Sequence, residues 1–282
     1  MFSKELLQGI LKEVRRIPKH AQNVRSYSKV APHQKLAYGV HRQQYLCYFK
    51  TVNIDASKPL VVFYHGGSWL VGKPEMFTNR AQVFVEQGYP VVMPAHRKLP
   101  FHRYYAMRED MILVLQSVKK LLIDKGVPNK KIVLAGMSSG GNLAALSFFD
   151  ASIAAEAGFN TDQIVAGFFC GAPLNLAGMP DSIILRGYAD EKHTTMFQQA
   201  SPITFLSATS PSKPVLVVHG AEDGLVAYSS ILAFKERLRA ITSTDLTFCT
   251  LPNGSHIDSV RWAGQDGEAR QIILEWFANI EE

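Results

Sequence analysis

Apolar residues in this chain gather into short uninterrupted runs, separated by longer stretches where they recur every three or four positions. The runs are Pro59–Tyr64, Tyr89–Ala95, Ile132–Ala135, Ile164–Cys170, Pro214–His219 and Leu246–Leu251. Each has the length and β-branched content of a strand buried on both faces. Helical spacing marks Met76–Gln87, Met107–Lys125, Tyr228–Ala240 and Asp266–Asn279. Ahead of them, Leu36–Phe49 predicts two antiparallel strands around His41-Arg42-Gln43. Strands that alternate with helices, none carrying a period-two polar face, predict an α/β fold with a mostly parallel central sheet flanked by helices. Sites in such sheets form beyond the carboxyl ends of the strands.

No internal repeat, low-complexity run or linker divides the pattern, so a single domain over residues 1–282 is expected. Two segments stand apart from its alternation. Residues 1–35 form an N-terminal lead-in, in which Phe2, Leu6, Leu7, Ile10, Leu11, Val14 and Ile17 recur at helical spacing among basic residues until Pro18. Three readings compete for this amphipathic Phe2–Ile17 helix. It packs over the body, it makes a weak contact with an anionic membrane surface or partner, or it is a targeting presequence, against which Glu5 and Glu13 count. Residues 174–200 form a candidate inserted cap. Ile183, Ile184, Leu185, Tyr188, Met196 and Phe197 there suit either a roof over the site or ordinary core packing, and His193 reads as a surface residue.

Charge sharpens this division. The formal net charge of +6 comes from the first fifty residues, which hold ten Lys/Arg against Glu5 and Glu13, while the remainder holds 20 basic and 22 acidic residues. A near-neutral body argues against a nucleic-acid enzyme. Cys47, Cys170 and Cys249 are widely spaced and show no metal-ligand pattern, as expected of reduced core thiols. With no apolar run of membrane-spanning length and no signal-peptide pattern, a soluble cytoplasmic protein is expected.

The chemistry centres on Lys131–Phe149 (KIVLAGMSSGGNLAALSFF), which reads strand, sharp turn, helix, with G-x-S-x-G at the turn. A serine there sits in a strained backbone conformation, so the residues two before and two after must lack clashing side chains. Gly136 and Gly140 meet that need and select Ser138 over the adjacent Ser139; Gly141 lets the helix pack closely. The turn also sets the N–H of Ser139 at a helix N-terminus, where negative charge is stabilised.

Two other strand ends carry partners for a serine. Asp223 follows the Pro214–His219 run and His256 follows Leu246–Leu251, which gives the chain order Ser, Asp, His. Of nine histidines only His256 comes after Asp223. Glu222 would point to the opposite face, and Asp258 lies too near His256 in sequence to orient its ring. A third strand ends in His65-Gly66-Gly67-Ser68-Trp69. There the backbone N–H groups of Gly67 and Ser68, with that of Ser139, suit an oxyanion hole, and His65 reads as a brace for the loop. Trp69 and Met137 are the expected substrate-pocket neighbours.

HGGSW, GMSSGGNLA, HGAEDGLV and NGSH together resemble the α/β-hydrolase superfamily, over about four-fifths of the chain from Tyr38 onward. The nearer resemblance is to hormone-sensitive-lipase-like and feruloyl-esterase-like carboxylesterases and to kynurenine formamidase. Arg97-Lys98-Leu99-Pro100 is similar to a YRLAP-type segment, and Ala200-Ser201-Pro202-Ile203-Thr204 to one found before the acid strand. Ser68 replaces the third glycine of the HGGG form, His96 the tyrosine before Arg97, and Met137 the acidic residue before the nucleophile. The resemblance implies an α/β-hydrolase fold and a serine carboxylesterase for small to medium apolar acyl esters, with Ser138, His256 and Asp223 as triad and no metal or cofactor. An aryl formamidase using the same triad and a non-catalytic binding protein on the same scaffold are the alternatives.

Overall fold

The structure, a computed structural model, describes residues 4, 7–15, 32–51, 57–208, 210, 212–241, 244–264 and 267–280. Among the described residues, eight strands form one sheet in the order β1-β2-β4-β3-β5-β6-β7-β8. They are β1 (Gln34–Ala37), β2 (Tyr45–Phe49), β3 (Leu60–Tyr64), β4 (Val91–Pro94), β5 (Ile132–Met137), β6 (Ile164–Cys170), β7 (Val215–Gly220) and β8 (Leu246–Leu251). β1 and β2 pair antiparallel with each other, and β2 antiparallel with β4. All other pairings are parallel.

The helices are α1 (residues 7–15), α2 (Thr78–Glu86), α3 (Tyr104–Asp124), α4 (Ser139–Phe149), α5 (Ala151–Glu156), α6 (Ile183–Ala189), α7 (Thr195–Gln199), α8 (Tyr228–Ile241), α9 (His256–Val260) and α10 (Glu268–Asn279). Strand side chains alternate between two cores. Leu60, Val62 and Tyr64 of β3, with Ile132 and Leu134 of β5, pack against α3, α4 and α8. Val61 and Phe63, with Val133, Ala135 and Met137, pack against α2 and α10. Both faces are apolar because both are covered, which is why the strands read as continuous runs.

All the expected strands and long helices form, with ends shifted by a few residues. α3 begins at Tyr104, three residues ahead of expectation, because Tyr104 is already buried one turn before Met107 and Met111. Of the predicted Phe2–Ile17 helix, residues 4 and 7–15 are described as helical, while Phe2, Leu6 and Ile17 lie outside the described residues. Short α5 and α9 carry no periodicity that a sequence pattern reveals. Their signals are caps: Asp150 accepts the N–H of Ser152, and Ser255 and Asp258 form a reciprocal capping box. Among the described residues, no helix is long and apolar enough to cross a membrane.

Candidate active site

β5 ends at Met137 and α4 begins at Ser139, so Ser138 alone makes the turn, at φ 51° and ψ −131°. A non-glycine residue in that region is strained and persists only where its surroundings fix it. They do so by close backbone packing. A Cβ on Gly136 would lie 2.5 Å from the carbonyl oxygen of Gly140, and one on Gly140 would overlap the carbonyl oxygens of Tyr64 and His65. A Cβ on Gly141 would lie 2.5 Å from that of Ala172. Each glycine of the turn answers a separate contact, and the Ser138 N–H continues the ladder by donating to Cys170 at 2.9 Å.

Ser138 Oγ lies 2.9 Å from His256 Nε2, and His256 Nδ1 lies 2.8 Å from Asp223 Oδ2. An ionised carboxylate only accepts, so Nδ1 donates to it and Nε2 is left to accept the serine hydroxyl. Burial raises the Asp223 carboxyl, but the His256 and His219 rings and the N–H of Val226 outweigh it, and its pKa falls below the ordinary value. For His256 burial lowers the pKa, and the Asp223 carboxylate, with Glu13 adding to it, reverses that and raises it. Asp223 Oδ1 also accepts from the N–H groups of Leu225 and Val226, so the same carboxylate caps its own turn and faces the histidine. Asp258 points away, bonded to the Ser255 N–H at 2.8 Å.

The loops that carry Asp223 and His256 interlock. Gly220 N–H donates to Ser259 Oγ at 2.8 Å, and a Cβ on Gly220 would overlap the Gly254 carbonyl oxygen. Gly171, at φ 55°, backs the imidazole, since a Cβ there would lie 3.3 Å from His256 Cε1. The buried Arg80 of α2 donates to Val260 O at 2.7 Å and so caps the far end of α9.

The His65–Trp69 loop runs beside the turn. Gly67, Ser68 and Trp69 have φ of 136°, 55° and 56° in succession. Trp69 is held there by stacking on Tyr188 at 4.1 Å and by its carbonyl, which accepts the Leu99 N–H at 2.9 Å. That bond gives Arg97-Lys98-Leu99-Pro100 its part: Arg97 and Gln44 fix the segment on buried Asp110, and the segment props the loop. Gly66 lies against the turn, its would-be Cβ 3.0 Å from Ser138 Cβ, whereas Gly67 is required because a Cβ would overlap the Val71 carbonyl oxygen. His65 is fully buried with Nδ1 2.7 Å from Gly66 O, and burial pushes its pKa down to about 4. It is a neutral brace.

Ser138 and His256 open into a cavity of about 370 Å³ with largely apolar walls. Ser68 and Ser139 line it, as do Trp69, Ile184 and Leu185, together with Leu225, Val226 and Ile257. A hollow of about 500 Å³ at the other end of α4, beside Asp150 and Lys213, contains none of these residues.

A family model described as the alpha/beta hydrolase fold matches residues 61–166. A truncated carbohydrate esterase from gut microbiota superposes with a TM-score of 0.76 at 15% identity, over 90% of this chain and 98% of that one. The chain has the α/β-hydrolase fold. Thermogutta terrifontis esterase 2, in a butyrate-bound structure, gives a TM-score of 0.70 at 21% identity, over 89% of this chain and 94% of that one. Among curated proteins, esterase LipC of Mycobacterium tuberculosis is 24% identical over 70% of this chain and 52% of its own length. The chain spans about half the length of the curated relatives it matches first.

Within this fold the expected residues divide. Ser138, Asp223 and His256 are brought together, and Ser68, Ser139 and Trp69 surround them. Met137 is not brought there: it belongs to the α2/α10 core and is absent from the cavity wall, because it shares strand parity with Val133 and Ala135. Of the candidate cap, Ile184 and Leu185 reach the cavity, Tyr188 and Phe197 are buried in packing, and Ile183 is exposed. Two residues that sequence reasoning missed hold this arrangement. Buried Asn142 donates to Pro173 O and Ala200 O and accepts from Tyr188 Oη, which ties α4 to the 174–200 segment. Glu13 of α1, only 4% exposed, reaches the His256 backbone.

Proposed function

We propose that this chain is a serine carboxylesterase acting on small to medium apolar acyl esters. The observation that carries the reading is the unbroken line Ser138–His256–Asp223, at 2.9 and 2.8 Å, opening into an apolar cavity of about 370 Å³. That volume is near the lower end of the roughly 300–1,000 Å³ typical of small-molecule sites, which favours short acyl groups.

In the reaction, His256 Nε2 takes the Ser138 proton as Oγ attacks the ester carbonyl. Asp223 keeps Nδ1 protonated and stabilises the imidazolium. The carbonyl electrons pass to the oxyanion, which is met by the backbone N–H groups of Gly67, Ser68 and Ser139; the loss of one such donor typically costs about 3–4 kcal/mol. Collapse of the intermediate expels the alkoxide, which takes the proton from His256. Water, activated by the same imidazole, then frees the acid and restores Ser138. Residues 174–200 act as the cap. A weak contact with an anionic lipid surface suits α1, where exposed Leu7 and Leu11 lie beside Lys12 and Arg15.

The test is fluorophosphonate labelling of wild type beside Ser138→Ala, followed by turnover of p-nitrophenyl esters of increasing acyl length and of an N-formyl aryl amine. Labelling and short-ester turnover confined to wild type are expected. Preference for the formyl amide would make it an aryl formamidase. Absence of both labelling and turnover in wild type would leave a non-catalytic binding scaffold.

A further inference from the structure

α1 is not a loosely apposed lead-in. Gly9 sits against the Gly224 backbone, where a Cβ would overlap the Gly224 carbonyl oxygen, and in the reverse direction a Cβ on Gly224 would lie 2.6 Å from Gly9 O. Glycine in a helix interior costs about 1 kcal/mol relative to alanine. Here it lets the helix approach the loop that carries Asp223. One turn further on, Glu13 Oε1 accepts from Gly224 N at 3.0 Å and from His256 N at 2.9 Å, while Oε2 accepts from Ile257 N at 3.2 Å. The N–H groups of His256 and Ile257 are the first two of α9 and have no partner within so short a helix. A buried carboxylate from the opposite end of the chain supplies it, and its charge suits a helix N-terminus. Ile10 and Val14, on the same side of α1, line the cavity.

We propose that Glu13 is the positioning residue for the proposed base: it clamps the backbone of His256 and the loop after Asp223 onto α1, so that one helix both aligns the imidazole and closes the acyl cavity. The inference rests on the esterase reading for its kinetic consequence, but the clamp itself has a signature independent of turnover. Charged and titratable groups that face the His256 ring are Asp223 and His219 from the β7 side and Glu13 from α1, with Ser138 opposite.

The experiment compares wild type, Glu13→Gln and Glu13→Ala. Loss of alignment by Glu13→Ala is expected to lower kcat for a short p-nitrophenyl ester about 10- to 100-fold with little change in KM. Glu13→Gln preserves the shape and one accepting oxygen, so it should recover most of kcat. Both variants remove the negative charge that favours the imidazolium, so the acid limb of kcat/KM should move to lower pH in each. Hydrogen exchange of the amides of Gly224, His256 and Ile257 should quicken in Glu13→Ala. Unchanged kcat and acid limb in both variants, or unchanged exchange, would overturn the proposal. Should Glu13→Ala not fold, Glu13→Gln still decides it through the pH limb. If wild type shows no Ser138-dependent turnover, the esterase reading falls, and amide exchange alone decides whether Glu13 clamps α9.

Discussion

The turn at Ser138 and the helix over residues 7–15 face the same cavity and hold their residues by opposite means. At the turn every constraint is local or lies in adjacent strands: Gly136, Gly140 and Gly141 each remove a Cβ that would strike neighbouring backbone or Ala172. At α1 the contacts join residues more than two hundred positions apart, through one carboxylate and one glycine. The first is rigid because strand and helix leave no direction in which to yield. The second is a helix outside the sheet, held by its docking contacts alone. A functional site can therefore be assembled from a part that folding enforces and a part that docks onto it.

The same kind of substitution separates the two. Gly140→Ala sets a methyl group against two strand-end carbonyls that cannot move independently, so unfolding free energy in urea should fall by about 3 kcal/mol or more and ester turnover should be lost. Gly9→Ala meets the Gly224 carbonyl from a helix outside the sheet; if the clash is relieved by displacing α1, which also gains helix propensity, stability should change by no more than about 1 kcal/mol while kcat falls about tenfold. Gly267→Ala, where no described residue lies within 4 Å, is the control: as the N-cap of α10 it should lose no more than about 1 kcal/mol, with turnover unchanged. Equal losses at Gly140 and Gly9 would mean that α1 is as integral to folding as the turn.

A smaller effect reads the electrostatics of the two parts together. On the proposed mechanism His256 must be neutral to accept the Ser138 proton, and its pKa is raised by Asp223 and Glu13 against burial. Activity should therefore fall on acidification at a pH above the ordinary histidine value of about 6.5. A pH profile of kcat/KM in wild type checks this; a limb below that value would show burial prevailing over the two carboxylates.

What the sequence disclosed follows the same division. Glycine spacing around Ser138, apolar strand runs and the order of acid and histidine are constraints written within a few residues of where they act, and all of these elements form as expected. Met137 was legible too, since period-two alternation with Val133 and Ala135 puts it in the opposite core, but proximity to Ser138 in sequence suggests the cavity instead. The capping box Ser255–Asp258 was a readable start signal for α9. Glu13 had no such signal. A glutamate within an amphipathic helix looks the same in sequence whether it faces water or accepts three backbone N–H groups, and only the fold decides.

The finest distinction concerns Ser68, which occupies the place of a third glycine. It has φ 55°, where a side chain is strained, and it lines the cavity, between Gly67 at φ 136° and Trp69 at φ 56°. A left-handed conformation costs a non-glycine residue roughly 1–2 kcal/mol, while glycine loses about 0.5–1 kcal/mol more conformational freedom on folding. The two partly offset, so Ser68→Gly should change stability by between zero and about 1.5 kcal/mol, in the stabilising direction. Its larger effect should be on selectivity, because removing the hydroxymethyl group widens the cavity beside Ser138 and should raise relative turnover of longer acyl esters. Differential scanning calorimetry with the acyl-length panel tests both parts. A destabilised variant would mean that the Ser68 side chain makes a compensating contact, and the strained loop would then depend on that contact as well as on the Trp69–Tyr188 stack.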